Sequence, residues 1–395
     1  MRIGKKQPNP SIRYGPEMKI LIVGGGISGL TLGALLQQRG FIPTIVEKIP
    51  EYGDVGYVIV LWPSGSKILK GLNLYRKFEE IGHECTKYDV ANEKGETLNI
   101  FSNDEVREEY GPIISTYRPE MINLLREAVN PDFIRMNTTV ENIRQDKNCV
   151  YVTFTDGSQG SYDLVVGCDG IRSRTRQLVF GDVPLRYSGM SGWGFWIKSK
   201  FLKVGQISEY WGTGKFFGIW PTKGRLSVFT SIRSPNNVPD PLESRINRIK
   251  SNFKEFGGMV PEILENLDNP EEIYHDDYHD IKMEKWYKGR VVLIGDAAHA
   301  ILPTAGGGVA MAMESAAVIC EELCRTDSQH ITQSLNQFMA RRRARVNKIQ
   351  NQSRMVGEFA FANSIIVSKL RNIAMRFYPK ALFIRSFKEI LKENI

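Results

Sequence analysis

The sequence predicts an α/β fold: a parallel sheet flanked by helices, a second and smaller β-rich unit, and helices at the C-terminus. Three stretches predict it. ILIVGGGISGLTLGALLQQRGFIPTIVEK (20–48) runs strand, glycine turn, helix, strand. YDLVVGCDGIRSRTRQLVFGD (162–182) and GRVVLIGDAAHAILPTAGGGVAMAMESAAVICEEL (289–323) each run strand, polar turn, helix. Strands that alternate with helices lie parallel in one sheet, and open sheets of this kind take ligands at the C-terminal ends of their strands.

In the first unit Ile20–Val23 is aliphatic and short, as a strand buried on both faces should be. Gly24 to Gly29 then fits G-x-G-x-x-G, with Ser28 beside the last glycine. Gly24 permits the tight turn, Gly26 lets a pyrophosphate approach the backbone, and Gly29 lets helix and strand pack closely. The helix over Leu30 to Gln38 points its N-terminal amides and positive dipole end at phosphate. A second strand, Thr44 to Val46, delivers Glu47, an acid placed to accept ribose hydroxyls, with Lys48 beside it. This unit predicts a Rossmann-like dinucleotide site without separating FAD from NAD.

The second unit carries Asp169-Gly170 after its strand, then Ser173 and Arg176 at a helix start. The third ends its strand in Gly295-Asp296, turns through Pro303, and enters a long helix at Gly306, Gly307 and Gly308. Asp296 suits a ribose hydroxyl. The helix start suits a group that becomes anionic. The glycine triplet lacks the GK[ST] of a P-loop.

Between these units, Arg186 to Asp280 alternates like antiparallel strands, with a hairpin at PTKG and a helix expected over Glu243 to Phe256. Trp193, Phe195, Tyr210, Phe217 and Trp220 are candidates for an aromatic-lined substrate pocket, weighed against service as sheet core. His275 and His279 sit in a strand-like segment without a third ligand cluster, so no metal is expected.

The net charge of +8 is spread along the chain, which argues against nucleic acid as a partner. The one dense run, RRRARVNK (341–348), reads as a solvated helix face. Five cysteines without a CxxC pair suit reduced thiols and a cytoplasmic setting. No apolar run approaches the ~20 residues of a membrane helix. Residues 1–17 hold three prolines and read as a mobile leader, with Met18 an alternative start. FIRSFKEILKENI (383–395) puts Phe383, Phe387, Ile390 and Leu391 on one helical face, for packing on the body or a dimer partner, or at most peripheral membrane contact.

The three turns in this order resemble the fingerprints of the class A FAD-dependent monooxygenases, the flavoprotein aromatic hydroxylases. That family includes salicylate and urate hydroxylases and the tetracycline-inactivating enzymes. GGGISG with Glu47 is similar to its ADP-binding fingerprint. Asp169-Gly170 with Ser173 and Arg176 resembles the DG fingerprint tied to FAD and NAD(P)H use. Gly295-Asp296 with Pro303 resembles the GD fingerprint. Arg118, in YRPEMINLL, matches the family arginine that contacts FAD, and Gly56 the glycine segment beside the isoalloxazine. The chain departs from G-Q-G-x-N after Pro303, with Gly307 in place of Gln and Ala310 in place of Asn.

The resemblance implies an enzyme that uses NAD(P)H and O2 to hydroxylate or epoxidise a small aromatic or hydrophobic molecule through a flavin C4a-hydroperoxide. Pro303 would line the oxygen side, and the amides of Gly306 to Gly308 would face developing charge on FAD. It also implies a discontinuous FAD-binding domain (18–75, 105–185, 281–345), a substrate domain (76–104, 186–280) and C-terminal helices (346–395), in a monomer or homodimer. The alternatives are an FAD-dependent reductase or dehydrogenase of the geranylgeranyl-reductase kind and a non-catalytic flavin-binding protein.

Overall fold

The computed structural model describes residues 15–53, 56–198 and 205–392. The expected leader lies outside them as far as residue 14. Gly15–Glu17 form a short 3-10 helix, with the Gly15 amide donating to the Thr326 carbonyl at 3.4 Å, so residues before Met18 pack on the body.

The elements that position the site follow in chain order. β1 (Ile20–Val23), α1 (Ile27–Gln38) and β2 (Thr44–Val46) form the opening unit. β3 (Lys87–Asn92) and β4 (Thr97–Ser102) come next, then α2 (Arg118–Glu127), β5 (Leu164–Gly167) and α3 (Arg174–Phe180). β6 (Arg186–Lys198), β7 (Gln206–Trp211), β8 (Lys215–Thr222), β9 (Arg225–Arg233), α4 (Leu242–Phe253) and β10 (Tyr274–Asp280) make up the β-rich unit. β11 (Val291–Leu293), α5 (Asp296–His299), α6 (Gly308–Cys324), α7 (Ile331–Ala360), α8 (Ile365–Arg376) and α9 (Lys380–Leu391) complete the chain.

β11, β5, β1 and β2 are parallel neighbours inside a six-stranded sheet, edged by Tyr287–Lys288 and Ile134–Arg135. Every side chain of β1 and β5 is buried, because helices cover one face and other strands the other. The C-terminal ends of β1, β5 and β11 therefore bring the three predicted turns to one edge. α1 starts at Ile27, a turn earlier than the apolar pattern indicates, because Gly26 serves as N-cap.

The second sheet has seven strands in the order β10-β6-β9-β8-β7-β3-β4. It is antiparallel except where β7 runs parallel to β3. β3 and β4 come from before α2, so this sheet is assembled from two chain segments. Its far face carries Trp193, Phe195, Tyr210, Phe217 and Val228 onto α4, where Ile249 and Phe253 meet them. Its near face carries Val90, Trp211, Phe216, Tyr278 and Phe229 against Met190, Leu302 and Phe361.

The run at 341–348 corrects an expectation. Arg342 and Arg345 are buried and share the carboxylate of Glu314 on α6. Only part of the run is solvated. The helix that carries it, α7, passes unbroken through the expected boundary at 345/346. α9 packs on the body: Phe383 stacks on Phe101 at 4.2 Å, Phe387 meets the Trp62 ring at 5.5 Å, and Ile390 and Leu391 are buried.

Candidate FAD site and its aromatic wall

At the first turn the backbone itself demands glycine. Gly24 has φ of +108°, and a Cβ there would lie 2.5 Å from the Cys168 carbonyl oxygen. A Cβ on Gly29 would lie 1.9 Å from the Gly24 carbonyl, so helix and strand touch through these two residues. The Gly25 amide donates to Glu47 Oε2 at 2.6 Å, and the Ile49 amide to Oε1 at 3.2 Å. Tyr52 donates its hydroxyl to the Gly25 carbonyl at 2.9 Å. Burial, then the Glu47 charge, push that phenol up to about 12, so it stays a donor. Lys48 makes no hydrogen bond or ion pair among the described residues.

Two observations show that this turn fits a pyrophosphate. A Cβ on Gly26 would meet nothing within 4 Å, so the N-cap of α1 opens onto space. The buried hydroxyl of Ser28, one turn inside that helix, has no hydrogen-bond partner. An orphaned hydroxyl beside free helix amides is suited to an anionic oxygen. Gly295 closes the other side, where a Cβ would fall 2.5 Å from Ser28 Oγ.

The second turn is built inward. Asp169 Oδ1 accepts from Ser173 Oγ at 2.5 Å, and Oδ2 accepts from the amide and hydroxyl of Thr175 at 2.8 and 3.0 Å. Ser173 N-caps α3 by accepting the Arg176 amide. Gly170, with φ of +77°, permits the reversal between them. Arg176 is buried and donates to the carbonyls of Ala297 and Ile171 at 3.0 and 2.6 Å. These side chains thus tie α3 to α5 and set where Asp296 stands.

At the third turn Asp296 opens α5 and faces Arg118, the first residue of α2, whose charge draws its carboxyl down against the larger upward push of the surrounding protein. Asp296 is nonetheless exposed by surface area, so solvent tempers that push. The Arg118 amide donates to the Tyr57 carbonyl at 3.1 Å. Gly56 accepts from Trp196 Nε1 at 2.9 Å and packs on Pro119, which a Cβ would reach at 2.7 Å. Pro303 starts a 3-10 turn that Thr304 pins to Ser353 on α7. Gly306 has φ of +65°, and a Cβ on Gly308 would meet nothing within 4 Å. A Cβ on Gly307 would lie 2.7 Å from the Trp62 ring, which explains why no glutamine stands there. The first-turn amides of α6 have no intrahelical acceptors and are available to a flavin edge.

Behind this turn lies a buried polar chain. His299 Nε2 lies 3.1 Å from Ser315 Oγ, which also accepts from Arg342 Nε at 3.3 Å. Burial and the Arg342 charge push the imidazole down to about 3, so His299 is neutral. Burial pushes the Glu314 carboxyl up, but the Arg345 hydrogen bonds and the charges of Arg342 and Arg345 outweigh it and hold it below its usual range. His299 is a structural strut here.

The aromatic candidates divide between the faces, and four need correction. Trp193, Phe195, Tyr210 and Phe217 belong to the far-face core on α4, away from the three turns. Only Trp220 lies on the near face, packed with Phe216 and Phe229. The reason is the two-residue period of a strand: Trp196 and Phe195 point in opposite directions, and residue type does not reveal which one faces the cleft.

The residue that sequence reasoning missed is Glu209, buried on the near face of β7. Trp211 Nε1 donates to its Oε2 at 2.9 Å, and the Tyr88 side chain bonds to it as well. Gly218 stands opposite it, with the rings of Trp220 and Phe216 folded over that glycine. Burial pushes the Glu209 carboxyl up to about 7, against the pull of Tyr88 and Trp211. The signal available was an acid two residues from both Ile207 and Trp211, on the same strand face as those apolar side chains.

A parallel sheet with three glycine-bearing turns at one edge, roofed by a mixed sheet with an aromatic face, defines an FAD-dependent hydroxylase. The chain belongs to the FAD binding domain family, which it matches over residues 17–353. It is 29% identical over 363 residues to aurachin C monooxygenase/isomerase of Stigmatella aurantiaca, covering 91% of this chain and 94% of that one. It is 29% identical over 368 residues to 2-heptyl-3-hydroxy-4(1H)-quinolone synthase of Pseudomonas aeruginosa, covering 92% and 95%. Among solved structures, an HpxO variant of Klebsiella pneumoniae complexed with FAD superposes with a TM-score of 0.88 at 25% identity, covering 95% of this chain and 99% of that one. The chain is an FAD-dependent monooxygenase, and NAD(P)H is the reductant typical of its family. The relatives lend nothing to the reductase or non-catalytic alternatives. No helix among the described residues is long and apolar enough to cross a membrane.

Proposed function

We propose that this enzyme hydroxylates a flat, bicyclic aromatic heterocycle that carries an N–H and an apolar substituent, of the 2-alkyl-4-quinolone kind. The observation that carries the reading is Glu209, a buried acid held by Trp211 and Tyr88 on the aromatic near face. Trp220, Phe216 and Phe229 offer faces to a flat ring. The Glu209–Tyr88 pair offers a proton acceptor in that wall, suited to a ring N–H or hydroxyl. Drawing that proton away enriches the ring carbon that must receive oxygen. One relative is named for a 2-heptyl-3-hydroxy-4(1H)-quinolone product, which supports the same class.

FAD, when bound, supplies electron transfer from NAD(P)H and the activation of dioxygen. The residues of this chain hold and orient. Gly26, Ser28 and the α1 amides would take the pyrophosphate, Glu47 and Asp296 the hydroxyls, and Arg118 and Gly56 the neighbouring edge. Lys48 would add a positive charge near the adenosine end. Asp169, Gly170, Ser173 and Arg176 would act by fixing α5. Pro303, Gly306, Gly307 and Gly308 would close the flavin side of the chamber and exclude water. We place the enzyme in the cytoplasm, where its free cysteines stay reduced.

The test is NAD(P)H oxidation by the FAD-loaded protein with and without a 2-alkyl-4-quinolone, with products analysed by mass spectrometry. The reading predicts oxidation stimulated by substrate and a product heavier by one oxygen atom. Equal oxidation with all electrons recovered as peroxide would contradict the substrate class.

A further inference from the structure

α8 is built inside out. The side chains it turns toward the protein are Ser368, Arg371 and Met375, at 5, 3 and 8% exposure. Those it turns toward solvent include Ile366, Leu370, Ile373 and Phe377, at 72, 61, 54 and 80%. Ile365 and Val367 extend the same surface. The outward set follows steps of four, three and four residues, which is one continuous helical stripe. A stripe of this size on a soluble helix marks an interaction surface.

The inward polar groups are well satisfied, so this orientation is the folded one. Arg371 donates to the carbonyls of Trp211, Gly212 and Ala360, at 3.1, 3.1 and 2.6 Å. Ser368 donates to the Ala362 carbonyl at 3.0 Å. Turning the helix over would bury the apolar stripe but strand a guanidinium.

Charge identifies the occupant. From 359 to 388 the sequence holds six basic residues and no acid. Lys369 and Arg376 flank the stripe, and Lys380 follows it. Arg376 has an exposed partner in Glu96 at 3.0 Å, whereas Lys369 and Lys380 have no ion-pair partner among the described residues. Apolar side chains rimmed by cations, with Phe377 and Tyr378 at the end, match an anionic lipid surface. A second copy of the chain would set like charges against each other.

We propose that α8 docks this enzyme in the plane of an anionic membrane. The helix lies on the bilayer and does not span it. Arg371 then links the docked helix to the backbone of Trp211, whose indole holds Glu209, so the membrane face and the aromatic wall share one strand end. Apolar substrates dissolved in lipid would be delivered beside their chamber. The proposal stands apart from the substrate assignment, because binding is read without turnover.

The test is flotation of the FAD-loaded full chain with vesicles of phosphatidylglycerol and phosphatidylethanolamine, and with vesicles of phosphatidylcholine alone. Wild type should float with the anionic vesicles, and high salt should release it. Phe377→Glu and Ile366→Glu should each weaken binding roughly tenfold or more, and Lys369→Glu by roughly fivefold. All three sites are exposed, so flavin content and Tm should match wild type. Wild type that stays unbound to anionic vesicles would overturn the proposal. So would a dimer, seen by sedimentation velocity, that Phe377→Glu dissociates, because the occupant would then be a second copy.

Discussion

The two faces of the seven-stranded sheet draw on the same aromatic vocabulary and do different work. The far face sets Trp193, Phe195, Tyr210 and Phe217 against Phe253 and Ile249 of α4. Trp193 Nε1 there donates to Asp240 Oδ1 at 3.1 Å, and the Tyr210 hydroxyl accepts from the Met259 amide at 3.4 Å. The near face sets Trp211, Phe216, Trp220, Phe229 and Tyr278 in one cluster, with the buried carboxyl of Glu209 held by Trp211. It also touches the site directly, through Trp196 on Gly56 and through Leu302, the residue before Pro303. The far face is core against α4, and the near face packs on the C-terminal helices and borders the three turns. Composition does not distinguish them; the placement of Glu209 does.

The largest expected effect lies on the far face and is one of stability. Phe217 is fully buried, and Phe217→Ala should cost about 3–5 kcal/mol in denaturant unfolding. The folded fraction should keep the wild-type KM. A changed KM with unchanged stability would erase the distinction between the faces.

Glu209→Gln should lower kcat/KM roughly a hundredfold, within the range of a lost proton acceptor. In wild type the alkaline rise of kcat/KM should have its midpoint near 7, where burial places this carboxyl, and the variant should lack that limb. Stability should move the other way. The folded carboxyl titrates at about 7, above its usual 4.5, so the folded state keeps a proton that the unfolded state loses between these values. Wild-type stability therefore declines as pH rises through this window, and the Gln variant should show no such decline.

Trp220→Ala should raise KM roughly tenfold for a flat substrate, with a smaller change in kcat. Trp193→Phe, on the opposite face, should leave KM alone. Steady-state kinetics on the pair sharpens the comparison. The smallest effect at neutral pH belongs to His299→Gln. His299 titrates near 3 when folded and near 6.5 when unfolded, so its stabilising contribution is present above 6.5 and is lost as pH falls toward 3. Acid unfolding followed by tryptophan fluorescence should show a shallower slope in the variant over that interval.

The three turns were legible because backbone geometry imposes them. Gly24 and Gly29 are glycine for reasons of contact with Cys168 and each other, and those contacts are local to a strand-turn-helix unit. The same locality made Gly295-Asp296 readable. The faces of the second sheet were not legible, because a two-residue period without an anchor leaves the phase open. The arginines at 342 and 345 misled for another reason. Their partner Glu314 lies on α6, about 30 positions upstream, and only the α6–α7 packing brings the charges together. Asp169 and Arg176 stood out in the sequence as cofactor residues, yet the direction of their side chains, inward to Thr175 and Ala297, is a tertiary fact.

One measurement addresses the central claim that the near face is the wall of an oxygenating chamber. The FAD-loaded enzyme would be given NAD(P)H, isotopically labelled dioxygen and a 2-alkyl-4-quinolone, beside its Trp220→Ala and Trp193→Phe variants. The account predicts one labelled oxygen atom in the wild-type product, the same yield from Trp193→Phe, and a product lost to peroxide in Trp220→Ala. Labelled product that survives in Trp220→Ala but disappears in Trp193→Phe would contradict it.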